Sequence, residues 1–458
     1  MIELSLPLIV PWAAGALLLA FDGRRPLVGW CAVAALAASL ASLVVLAASV
    51  VPGEPIAATT GNWPAGVGIS LRADGLGVLF ALLSALALLA AMTHEVLGGV
   101  RERTFPGLVV LLGAGLSGVF LTADLFNFYV FFEVAMTASY ILATYGGGRR
   151  ELSAAFVFTA VNLLGTFFFL ISVAGLYHVT GTLSMEAIGE RISTVEPNAA
   201  LLIAIGFLVA FGVKLGLFPF HFWLPTVYTG ARPAVAAILS GGLANIGSYG
   251  LLRFGGELLP DELALGAVAL IVIGSASILY GGVLAVSRRG PAEVLAYSTI
   301  GQVGYVLVAI GVGGPVGFAA AVLYAVVNSL NKTLLFLAAG MRGALVGAAF
   351  AVGALSVAGI PPAAGFIGKL ELFRAGVSAD SAVLVGLLFL GGVLSFIYMF
   401  QIYQYEFWRP NPATTASPRA QRLLVAALAL LILAGGIVPE PLLDLSRDAA
   451  LSVPGALR

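Results

Sequence analysis

The chain has 458 residues, 60% of them hydrophobic and only 10% charged, a balance that excludes a soluble globular domain. With 22 basic and 22 acidic residues its formal net charge is zero, which excludes a general attraction to nucleic acid. The single cysteine, Cys31, excludes a disulfide framework and a cysteine-ligated centre within the chain, so neither a metal nor a cofactor is expected.

Apolar runs of about twenty residues, the length that crosses a bilayer, recur from end to end. They cover residues 3–21, 27–50, 74–97, 106–123, 125–145, 153–178, 199–222, 233–254, 263–286, 292–312, 315–340, 345–376, 381–404 and 421–438. This predicts an all-α polytopic membrane protein with about fourteen transmembrane helices and the lipid bilayer as its solvent. No basic residue precedes the first run and Asp22-Gly-Arg-Arg follows it. That is the wrong charge order for a cleaved signal peptide, so the run reads as a retained span. Arg24, Arg25, Arg101, Arg103, Arg149, Arg150, Arg232, Arg288, Arg289, Arg342, Arg409, Arg419 and Arg422 then fall on one side of the membrane, and six arginines fall on the other. Because basic residues mark the cytoplasmic side, both termini are expected outside. The longest connections, 51–73, 179–198 and 405–420, leave no room for a soluble domain. Asp124, at the start of the fifth run, is placed to cap its helix.

Only three lysines occur, Lys214, Lys332 and Lys369, and all three lie inside apolar runs. An intramembrane lysine is costly unless it pairs, deprotonates or meets water, which makes each a functional candidate. Two runs are also interrupted: the seventh carries Lys214, Pro219 and His221, with Pro225 just past its end, and the twelfth carries Pro361, Pro362 and Lys369. Proline removes a backbone donor and clashes with the preceding turn, so these spans should break. Broken helices in corresponding positions of two halves are a pointer to an ion path.

Glu133 lies about nine residues into the fifth run, near mid-bilayer. With Lys214 it forms the preferred switchable pair; the alternative is a static ion pair that fixes helix packing. Lys332 has Asn328 one turn earlier and is read as a relay between the halves, or else as a snorkelling residue. Glu371 stands three residues before Arg374, a spacing that favours a local ion pair. His221 is the one histidine expected at mid-membrane, either as a proton-exchange group or as a packing residue, whereas His94 and His178 fall close to span ends.

The segments Asp124-Leu-Phe-Asn-Phe-Tyr-Val-Phe-Phe-Glu133, Lys214-Leu-Gly-Leu-Phe-Pro-Phe-His-Phe-Trp-Leu-Pro225, Leu295-Ala-Tyr-Ser-Thr-Ile-Gly-Gln-Val-Gly-Tyr305 and Gly359-Ile-Pro-Pro-Ala-Ala-Gly-Phe-Ile-Gly-Lys369 resemble the antiporter-like subunits shared by Mrp-type sodium/proton antiporters, membrane-bound hydrogenases and respiratory complex I. The Phe-Phe-Glu of the fifth run and the stretch Tyr177-His-Val-Thr-Gly-Thr-Leu are most similar to the Mrp branch. The resemblance covers nearly the whole chain. It implies two inverted five-helix repeats, in spans 4–8 and 9–13, and units at 1–105, 106–256, 257–405 and 406–458. It also implies a midplane polar axis through Glu133, Lys214, Lys332 and Lys369, linking half-channels from each side.

Two positions depart from the family pattern: Asn245 stands where a lysine is usual in the eighth span, and Asn328 where a histidine is frequent in the eleventh. Neither titrates usefully. The expected function is a secondary-transporter subunit, not an enzyme, that moves protons in the plasma membrane beside other membrane subunits of a cation/proton antiporter. Whether sodium crosses this chain or a neighbour is left open. The alternative is the proton-pumping arm of a redox complex.

Overall fold

The computed structural model describes residues 2–50, 54–59, 61, 63, 68–408 and 417–457. Arg409 and parts of the connections at 51–73 and 405–420 lie outside the described residues. Eleven helical segments are long and apolar enough to cross a bilayer, and Glu3–Leu19, Phe105–Leu121 and Ala344–Ala358 are shorter apolar helices. The last of these resumes after a break as Ala364–Ser378. Eleven plus three makes fourteen spans among the described residues, one for each apolar run.

Span ends are set by local chemistry. The Asp74 side chain accepts from the Gly77 N–H (2.8 Å) and Asp124 from the Asn127 N–H (2.8 Å), so both act as N-caps of the helices that follow. Both termini lie at one end of the bundle: Ser49 at the end of span 2 hydrogen-bonds Glu3, and Gly75 at the start of span 3 packs on Ser452. At that end several elements stand outside the simple span count. They include an antiparallel pair of short strands, Ile56–Thr59 with Ser70–Ala73, and the short helices Met185–Arg191 and Pro260–Leu265. Another is a helix after span 14, Glu440–Leu451, which packs on spans 3 and 11.

Span 8, Pro233–Leu258, crosses without a kinking proline but is not regular. Ile238–Leu243 and Leu251–Leu258 are wound as π-helix, around the short α-helical piece Asn245–Gly250. Such segments release backbone carbonyls for other partners and recur at functional sites.

The same end of the bundle holds a charge cluster that composition did not single out. Arg253, 2% exposed, donates to Asp74 (2.6 Å), Glu257 (2.7 Å) and the Tyr249 hydroxyl (3.0 Å). Arg72 completes a four-charge ring with Glu257 (2.6 Å) and Asp74 (3.2 Å). It ties the strand pair, the start of span 3 and the end of span 8 together. Burial by itself raises the Asp74 carboxyl, but Arg253 and Arg72, with hydrogen bonds from Arg253 and Gly77, outweigh it and hold the group below the usual carboxylate range. A carboxyl depressed on folding adds stability above its unfolded pKa of about 4 and loses it as pH falls through the lower folded value. The melting temperature of the detergent-solubilised protein should therefore fall on acidification below about pH 5, and Asp74→Asn should flatten that dependence.

Candidate functional site

The two broken spans stop in the same way. Gly216 (φ 65°) and Gly359 (φ 80°) end their first half-helices in the left-handed conformation, which glycine adopts without penalty. At Gly359 the choice is doubly constrained, since a Cβ there would lie 2.4 Å from the Lys369 side chain. In span 7 the first half, Pro197–Leu215, is followed by Trp223–Gly230. Pro219 lies in the break. Pro225 does not: it sits in the first turn of the second half, where a missing N–H costs nothing. In span 12 the break at 359–363 contains both Pro361 and Pro362.

Backbone groups opened at this depth need protein or water as partners, and several find protein ones. The Trp223 indole donates to Val213 O (2.9 Å), and Phe218 N–H donates to Ser277 of span 9 (3.0 Å). Gly365 N–H donates to the Ser356 hydroxyl (2.9 Å). Lys369 Nζ donates to Ala358 O (3.1 Å), the last residue of the first half. Lys214 likewise occupies the last turn of its half-helix. Both ammonium groups therefore stand at a helix C-terminus, where the peptide dipoles favour positive charge.

Glu133 and Lys214 are brought together, but not as a direct ion pair. Thr166 of span 6 stands between them, donating its hydroxyl to Glu133 Oε1 (2.9 Å) and accepting from Lys214 Nζ (3.1 Å). Lys214 also donates to Asn162 O (2.9 Å) and lies 4.5 Å from the centre of the Phe132 ring. One hydroxyl, with one donor and two acceptor positions, thus links carboxylate to amine. Asn162 and Thr166 were not singled out from the sequence. Their signal was available as two polar residues four apart in an apolar run, the spacing of one helix face.

Lys332 is fully buried and donates to the Ser298 hydroxyl (2.8 Å) and to Leu295 O (3.3 Å) of span 10. Asn328, one turn earlier, is not among its hydrogen-bond partners; the Asn328 Oδ1 has no partner. Lys369 lies 5.1 Å from the centre of the Tyr305 ring and borders a cavity of about 340 Å³ with Gly392 and Phe396. The three lysines meet only neutral acceptors.

Asn245 is engaged rather than idle. Its amide donates to Ser84 of span 3 (3.1 Å) and to Gly241 O (2.8 Å), a carbonyl in the π-helical stretch that also accepts from Ser329 of span 11 (2.5 Å). Spans 3, 8 and 11 are tied there by groups that carry no titratable proton. Lys214 itself borders a cavity of about 10 Å³, with Asn162, Phe132, Leu243 and Ala244 among its other walls and room for about one water.

His221 stands apart from this row: its ring packs on Tyr280 (4.3 Å) and Phe218 (5.6 Å), and its Nδ1 has no hydrogen-bond partner. Glu371 pairs with Arg374 on its own helix, as its spacing indicated.

Fourteen spans, two of them broken beside buried lysines, define a helical membrane protein of the ion-transporter type. Residues 122–344 and 341–395 match the family model described as NADH:quinone oxidoreductase/Mrp antiporter, transmembrane. The chain belongs to that family. It is 30% identical to the D subunit of the Na(+)/H(+) antiporter of Alkalihalophilus pseudofirmus, across 97% of this chain and 96% of that one. It is 32% identical to the N subunit of the NADH-quinone oxidoreductase of Desulforudis audaxviator, across 89% and 88% respectively. Its fold superposes on a chain of the Mrp complex from Dietzia sp. DQ12-45-1b with a TM-score of 0.91, at 27% identity and full coverage of both chains. The architecture is accordingly that of two inverted five-helix repeats, spans 4–8 and 9–13.

Proposed function

We propose that the chain is the proton-translocating, D-type member of a Mrp-type monovalent cation/proton antiporter complex, with units at 1–105, 106–256, 257–405 and 406–458. The observation that carries this reading is the Glu133–Thr166–Lys214 bridge at the first helix break. A proton arriving at Glu133 removes its negative charge and weakens its hold on the lysine. The change in charge then acts through Lys332 on Lys369. Coulomb energies between partly buried charges at such spacings are a few kcal/mol, comparable with the ~2.3 kcal/mol per charge that 100 mV of membrane potential supplies. That match of scale lets either gradient drive the other.

Glu133 also argues for assembly. It is only partly buried, and Val130 and Ile141 on the same helix are 40% and 42% exposed. A carboxylate on a lateral face at mid-bilayer is stable only against a partner. The arginine distribution supports a plasma-membrane orientation with both termini external. Protons are the proposed cargo of this chain.

Glu133→Gln should lower cation/proton exchange in everted vesicles about tenfold or more; unchanged exchange would refute the reading. A second reading, the proton-pumping arm of a redox-driven complex, draws on the 32% identity to a quinone oxidoreductase component. With Cys31 as the only cysteine, iron–sulfur chemistry would belong to partners in that case. Co-purification of small hydrophobic proteins alone favours the antiporter, and of iron–sulfur or nickel proteins the redox complex.

A further inference from the structure

The second half of the molecule contains a polar row that none of the charged residues discloses. Ser298, which accepts from Lys332, donates to the Tyr398 hydroxyl of span 13 (3.0 Å). Tyr398 donates to Ser395 (3.1 Å), and Ser395 to Gly391 O (2.7 Å). The next residue, Gly392, forms part of the wall of the Lys369 cavity, and a Cβ there would lie 3.6 Å from Lys369 Nζ. The row therefore runs from one buried lysine to the stretch of span 13 that borders the cavity of another.

Gln302, one turn beyond Ser298, braces it. Its two amide protons go to Tyr398 (2.9 Å) and Ser395 (3.2 Å), and its Oε1 accepts from the Tyr324 hydroxyl. Ser298, Gln302, Ser395 and Tyr398 are all at most 2% exposed. Buried polar groups are costly unless fully paired, and here the donor and acceptor count closes. Ser298 accepts from Lys332 and so donates onward. Tyr398 accepts from Ser298 and Gln302 and so donates to Ser395. Ser395 accepts from Tyr398 and Gln302, leaving its own proton for Gly391 O. Lys332 thus sets the direction of the three hydroxyls, and the amide holds the second and third in place.

We propose that Ser298, Tyr398 and Ser395 form a hydroxyl relay from Lys332 toward the Lys369 cavity, with Gln302 as the positioning residue that holds Tyr398 and Ser395 in register. The proposal rests on the proton-axis reading above. In one passage the Lys332 ammonium loses a proton to Ser298 Oγ, whose own proton passes to Tyr398, and that of Tyr398 to Ser395. The Ser395 hydroxyl turns from Gly391 O and gives its proton to a water at the edge of the cavity, and that water delivers one of its own protons to the Lys369 amine. Each oxygen forms one O–H bond and breaks one, so the net result is one proton moved between two amines.

The test uses the assembled complex in vesicles, with exchange measured as a function of pH. Tyr398→Phe keeps the ring and deletes one hydroxyl, and Gln302→Leu keeps the length and deletes the brace. Each should slow exchange about tenfold, and Gln302→Leu should also displace the pH of half-maximal exchange. A purely packing role would lower the yield of complex and leave that pH in place. Partial recovery of rate and pH profile in Gln302→His, which keeps one N–H donor, is the rescue expected. If Lys332→Ala abolishes exchange while Tyr398→Phe and Gln302→Leu match the wild type in rate and pH profile, the relay is overturned and the axis stands. If Lys332→Ala exchanges normally, the axis itself falls. Should Gln302→Leu not assemble, Tyr398→Phe decides.

Discussion

Alanine at Lys214 is expected to abolish cation/proton exchange in everted vesicles, a loss of about a hundredfold or more, while the complex still assembles. The amine donates to Thr166 and Asn162 O, and its removal leaves Glu133 with the Thr166 hydroxyl alone. The carboxylate then has no cation to respond to when it gains or loses a proton, so the coupling disappears while the helix contacts remain. Lys214→Met, which fills most of the vacated volume, separates loss of charge from creation of a cavity, and it should be equally inactive. Exchange near the wild-type rate in either variant would remove Lys214 from the mechanism.

Arg253→Ala should produce the largest loss of stability, about 3–5 kcal/mol, because removing one partner of a buried ion pair strands the others. Asp74 and Glu257 would be left to share Arg72, and the Tyr249 hydroxyl would lose its donor. Arg253→Lys keeps the charge without the planar fork and should fall between the two. Thermal unfolding in detergent reads both variants. A melting temperature unchanged in Arg253→Ala would mean that the cluster is offset by solvation and holds nothing together.

The two variants probe parts of the molecule that differ in how visible they are from the chain alone. Lys214, Lys332 and Lys369 stand out in the sequence because hydrocarbon makes every uncompensated charge expensive, and Pro219, Pro361 and Pro362 because each proline removes a backbone donor from its span. Arg253 reads as one more arginine near a span end, and nothing in its local sequence points to Asp74, 179 positions away. Asn245 looks like a lost station. Its hydrogen bonds to Ser84 and Gly241 O show a tie between spans that depends on the π-helical winding of its neighbours.

The sequence by itself determined the number of spans, the two breaks and the identity of the buried charges, since each follows from the cost of placing a residue in a bilayer. It also determined contacts within one helix, such as Glu371 with Arg374, because a helix places residues three and four apart side by side. Only the tertiary structure decided that Thr166 stands between Glu133 and Lys214. It alone turned Ser298, Gln302, Ser395 and Tyr398 toward one another, and it alone folded Glu440–Leu451 back onto spans 3 and 11. Those outcomes depend on how each helix is rotated and at what height it meets its neighbours. Rotation and height are set by packing over whole helix faces, and no single spacing along the chain encodes them.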